Sequence, residues 1–148
     1  MRIDLSGDSR VSAKLGGFTV DTDQPVRAGG DGSAPAPFDY FLASIGTCAG
    51  FYVQEFLHHR GLPTEGVHLT LTTTRRPGSK MLARITLRLV LPEGFPDRYR
   101  MAIARAVDLC TVKRHILDPP LFETIVETSP GRDDPAPVPI SATAESVH

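Results

Sequence analysis

The run APFDYFLASIGTCAGFYVQEF, Ala36 to Phe56, constrains this chain more than any other stretch. Apolar side chains recur at positions 38, 41, 42, 45, 49, 52, 53, 56 and 57. That i, i+3, i+4, i+7 spacing predicts an amphipathic helix with a wide buried face. Pro37 precedes it, Asp39 supplies a negative charge to its first turn, and Gly61 and Pro63 stop it. A helix over about 38–60 would be roughly 34 Å long at 1.5 Å per residue. In a chain of 148 residues, most simply one domain, such a helix must pass through the core.

The remaining elements are read around it. RVSAKL and FTVDTD alternate about Gly16-Gly17, which predicts a hairpin within the first 25 residues. QPVRAGGDGSAPAP is a Gly/Pro-rich loop. VHLTLTTTRR and MLARITLRLVL predict a second hairpin about RRPGSK, with one polar face. The basic run TTTRRPGSK is that hairpin's turn and needs no partner. DRYRMAIARAVDLCTVKRHIL predicts one continuous second helix, stopped by Pro119-Pro120, and FETIVET a last short strand. Residues 1–128 therefore read as one domain and residues 129–148, SPGRDDPAPVPISATAESVH, as a flexible tail. The order ββ-α-ββ-α-β implies an α+β class with a mainly antiparallel sheet. Two helices with broad apolar faces exceed what five strands cover, which points to a homodimer sharing its core.

Composition narrows the function. A formal net charge of −1 offers no basic field for nucleic acid or an anionic membrane. No run approaches the roughly 18–20 apolar residues of a membrane span. The start MRIDLSGDSR lacks the apolar core of a secretory signal, so a cytoplasmic location is expected. There is no CxxC and no HExxH, and the five histidines do not cluster, so neither a metal nor another cofactor is expected. His58 and His59 sit where a helix C-terminal dipole favours a cation. Tyr40 reads as a core or interface aromatic.

The two cysteines carry the chemical question. Cys48 lies on the stripe Phe41, Ile45, Cys48, Tyr52 of the first helix, and Cys110 on the stripe Ile103, Val107, Cys110, Arg114 of the second. Free cysteine commonly packs as a small hydrophobe, and both fit that description. They also occupy equivalent positions on the two core helices, which could bring the sulfurs within disulfide reach, Cα atoms about 4.4–6.8 Å apart. Arg105, Lys113 and Arg114 lie within five residues of Cys110. A nearby cation favours thiolate, while apolar burial opposes it.

The run PFDYFLASIGTCAGFYV, behind a Gly-Gly and a Pro-rich loop, resembles the central helix of the OsmC/Ohr family of osmotically inducible and organic-hydroperoxide-resistance proteins. AVDLCTVKRHI resembles that family's second cysteine helix, and the order of elements matches over about residues 1–128. The resemblance implies a thiol peroxidase built as an intertwined homodimer with sites at the subunit interface. Cys48 would then be the peroxidatic residue, oxidised to a sulfenic acid by a hydroperoxide, and Cys110 the resolving one. An external dithiol would reduce the disulfide. An apolar wall of Phe38, Phe41, Ile45, Tyr52 and Phe56 would favour organic over inorganic hydroperoxides. The family's activating arginine comes from its N-terminal strands, which makes Arg10 and Arg27 the candidates.

The chain also departs from the family pattern. Phe38 stands where the best-characterised peroxidases have a glutamate after the proline, and Asp39 lies one residue, about 100° of helix rotation, further on. Thr111 and Lys113 replace the Pro and Ser that follow the second cysteine in many relatives. These departures mark a divergent OsmC-like branch. A non-catalytic module binding a small hydrophobic ligand and a redox sensor remain alternatives.

Overall fold

A computed structural model describes residues 1–128 of the chain, so the predicted C-terminal tail lies outside the described residues. The long helix is present as α1, Pro37–His58. Pro37 occupies its first turn, where the missing N–H costs nothing. The Asp39 carboxylate reaches back to accept the Ala36 N–H at 2.9 Å. At the far end Gly61 takes φ +59, which favours glycine, and the Leu62 N–H returns to the Leu57 carbonyl at 3.0 Å.

Five strands accompany α1. β1 (Arg2–Leu5), β2 (Val11–Leu15) and β3 (Phe18–Thr22) form one antiparallel sheet in that order, with Ala13 opposite Val20. β4 (His68–Arg75) and β5 (Leu82–Val90) form a second, with Leu71 opposite Leu87 and an irregularity at Thr74/Arg75. α2 (Asp97–Val107) and α3 (Thr111–Leu117) complete the fold. The core gathers Val53, Phe56 and Leu57 of α1 with Phe95, Ile103 and Ala106, and Leu69 and Leu89 of the second sheet pack on it. Ile103 and Leu57 have almost no exposed surface. Phe56 meets Tyr99 edge-on at 6.1 Å, and the Arg60 guanidinium lies 3.8 Å from the Phe56 ring centroid.

Three expectations are corrected. The N-terminal region holds three strands, because the short charged segment RIDL pairs with β2 through a tight Ser6–Arg10 connection. The second helix is not continuous. It breaks at Asp108–Cys110, where Cys110 leaves helical dihedrals (φ −50, ψ 113) to become the N-cap of α3. Cys110 is therefore not mid-helix. FETIVET forms no strand, since a strand needs a neighbour for its backbone N–H and C=O groups and no edge within this protomer takes it. Among the described residues no helix is long and apolar enough to cross a membrane.

Candidate functional site

α1 and the α2–α3 break bring the two cysteines together. Cys48 lies on α1 one turn before Tyr52 and is half-buried, while Cys110 is fully buried. Both are free thiols. The Cys110 thiol donates to the Ile45 carbonyl at 3.7 Å, and its sulfur accepts the Lys113 N–H at 3.4 Å. Sulfur here does the work a Ser or Asp oxygen does at an ordinary N-cap. The Tyr52 and Thr111 hydroxyls meet at 3.0 Å, closing α3 against α1.

The two sulfurs are driven in opposite directions. Burial pushes the Cys48 thiol up, but the Val112 N–H, the Cys110 thiol and the Thr111 N–H together hold it below the usual range. Cys110 is pushed up, first by burial, and further by the Cys48 side chain and its charge, against the opposing Lys113 N–H. The surroundings thus favour ionisation of Cys48 and oppose that of Cys110. No cationic side chain among the described residues contributes to either shift. Lys113 instead pairs with Asp108.

The other residues expected at the site divide. Ile45 contributes its carbonyl to Cys110, and Tyr52 its hydroxyl to Thr111. Phe38 and Phe41 stack at 5.2 Å, partly exposed, on the first turns of α1. Phe56 lies two turns beyond Cys48, inside the core rather than beside the sulfur. Asp39 is occupied with its own helix cap. Arg10 and Arg27 are both exposed, on the β1–β2 connection and on a 3-10 turn, Val26–Ala28. Thr111 and Val112, whose N–H groups act on Cys48, carry no side-chain signal that sequence reading could use.

The turns bearing the two arginines are held by one buried carboxylate. Asp23 has no exposed surface and accepts from Ser9 Oγ (2.5 Å), Gln24 N–H (2.7 Å), Ser33 Oγ (2.8 Å), Ser33 N–H (2.9 Å) and Asp31 N–H (3.2 Å). The Ser9 hydroxyl first, then the Ser33 N–H, hold its carboxyl well below the usual carboxylate range, outweighing burial. Gly30 sits against this node, and a Cβ there would lie 2.0 Å from the Gln24 carbonyl oxygen.

Cavities line α1 at its C-terminal end, around Gln54, Glu55 and His58 (about 450 Å³), and on two sides nearer its middle. Of the latter two, the larger, about 630 Å³, lies between Ala43, Gly46 and Gly50 and the sheet residues Leu69, Leu71 and Leu87, and touches neither sulfur. The smaller, about 400 Å³, lies between Ile45, β5 and the α3 residues Lys113, Ile116 and Leu117. The cysteine pair therefore lies away from the larger space.

A family model described as OsmC-like protein matches residues 30–124, which hold α1 and both cysteines. The chain belongs to the OsmC-like protein family. Solved structures share this OsmC-like fold. A proposed osmotic-stress-induced and detoxification-response protein from Psychrobacter arcticus 273-4 is 19% identical, with a TM-score of 0.65 over 76% of this chain and 84% of that one. An OsmC-like protein from Mycoplasma pneumoniae is 14% identical, with a TM-score of 0.63 over 80% and 86%. An organic hydroperoxide resistance protein OsmC from Legionella pneumophila is 18% identical, with a TM-score of 0.53 over 78% and 85%. No curated protein matches the chain.

Proposed function

We propose that this OsmC-like protein is a thiol peroxidase for organic hydroperoxides. The observation that carries the reading is the pair itself, a half-buried free thiol on α1 beside a buried free thiol docked on the preceding turn at the Ile45 carbonyl, with ionisation favoured at the first and opposed at the second. The Cys48 thiolate attacks the distal oxygen of ROOH, the O–O bond breaks, and the alkoxide takes a proton to leave as ROH. The resulting Cys48 sulfenic acid condenses with the Cys110 thiol, forming the S–S bond and releasing water. An external dithiol then restores both thiols and is itself oxidised to a disulfide. A reducing cytoplasm suits two free cysteines in this cycle.

Phe41, Ile45 and Tyr52 share the α1 stripe that carries Cys48, with Phe38 stacked on Phe41, which suits an apolar R group. Arg10 or Arg27 reaches Cys48 from a second copy of the chain. A second copy is supported by the N-terminal sheet, whose Ile3, Leu5, Leu15 and Phe18 are at least half exposed with no cover in the protomer. A second reading is favoured by the 630 Å³ groove away from the sulfurs, which suits a bound hydrophobic ligand without turnover. One experiment separates them. Cumene hydroperoxide consumption with a dithiol, abolished by Cys48→Ser, supports the peroxidase. Ligand binding without consumption supports the module.

A further inference from the structure

α3 is seven residues long and contains no fully buried residue, so it cannot hold its own place. Three polar contacts tie its start: the Cys110 thiol to the Ile45 carbonyl, the Lys113 N–H to the Cys110 sulfur, and the Tyr52 and Thr111 hydroxyls. The first two use the sulfur that the proposed cycle consumes. Once Cys110 enters a disulfide it has no S–H left, and the Ile45 carbonyl loses its donor. The Tyr52–Thr111 bond uses no sulfur. It also spans the same gap as the disulfide, since Tyr52 follows Cys48 by one helical turn and Thr111 is the residue after Cys110.

We propose that Tyr52 and Thr111 are a positioning pair, which holds Cys110 against Cys48 while the disulfide closes and keeps α3 docked once it has closed. The proposal rests on the reading that these two cysteines form a disulfide. Neither hydroxyl takes part in bond making. A disulfide tolerates only a narrow range of Cα separations, so a start of α3 that swings freely spends less time in reach.

The test needs no hydroperoxide. In the full-length reduced protein, the Cys48 thiolate attacks 5,5′-dithiobis(2-nitrobenzoate), forming a mixed disulfide and releasing one thionitrobenzoate. The Cys110 thiolate then attacks the Cys48 sulfur of that mixed disulfide and releases a second. The ratio of second to first release reads how well Cys110 is placed. Thr111→Val, which keeps shape and loses the hydroxyl, is expected to lower the ratio about fivefold, the worth of one ordinary hydrogen bond. Thr111→Ser restores it, and adding Tyr52→Phe to Thr111→Val lowers it no further. A Thr111→Val ratio equal to the unaltered protein's, a Thr111→Ser ratio as low as that of Thr111→Val, or no second release from the unaltered protein overturns the pair. Failure to consume cumene hydroperoxide overturns the peroxidase reading alone, because this ratio is still read.

Discussion

Replacing Cys110 separates its structural role from its chemistry. Its sulfur caps α3 through the Lys113 N–H and satisfies the Ile45 carbonyl, in a site with no exposed surface. Cys110→Ala removes both contacts and leaves a small void. Loss of an N-cap costs about 1 kcal/mol, and the void about another 1 kcal/mol. The sum, about 2 kcal/mol, corresponds to a fall in Tm of roughly 6–10 °C for a domain of this size. Cys110→Ser keeps an oxygen able to accept the Lys113 N–H and a hydroxyl able to donate to Ile45, so it should lose less than half as much. Neither variant can form the disulfide. Urea unfolding and thermal scans of the reduced proteins, read by far-UV circular dichroism, give the comparison. Equal destabilisation by Ala and Ser would refute the cap, because only the hydrogen-bonding atom distinguishes them in so small a site.

The lowered Cys48 pKa predicts an iodoacetamide rate that rises with pH and reaches half its plateau below the value for the same cysteine in the urea-unfolded protein. A midpoint at or above that value, measured on Cys110→Ser to isolate one thiol, would contradict the site. Because the Asp23 carboxyl is depressed, its stabilisation of the 24–33 loop is present above the unfolded value of about 3.9 and is lost as pH falls towards the folded one. Amide exchange at Asp31 and Ser33 should therefore accelerate below about pH 4 relative to the core, and Asp23→Asn should show the faster exchange at pH 7. Gly30→Ala must displace the Gln24 carbonyl and should give the same loosening, read by proteolysis within the loop. Ile103→Ala in the core should cost about 2–5 kcal/mol by chemical denaturation.

The features that periodicity can carry were legible in the sequence. α1 starts at Pro37 and ends before Gly61 because local signals and the buried stripe agree. β4 and β5 follow their alternation for the same reason. The break after α2 was hidden, because its cause is tertiary: Cys110 leaves the helix so that its sulfur can meet α1. FETIVET alternates like a strand, but alternation does not supply a neighbouring edge. At the site, the pairing of Cys48 with Cys110 was suggested by their positions on the two predicted core helices and by the resemblance. The resemblance implied an arginine as the group that ionises Cys48, whereas within the protomer backbone N–H groups at 111 and 112 act on it. Backbone donors exist at nearly every residue, so no residue type announces them. The Asp23 node was equally hidden, since its five donors are spread from Ser9 to Ser33.

That node has a mechanical consequence. Ser9 adjoins Arg10, and Gln24 and Asp31 bracket Arg27, so one side chain clasps both connections like a hinge pin. The two guanidinium-bearing turns move as a single body, and a rearrangement that advances one carries the other with it.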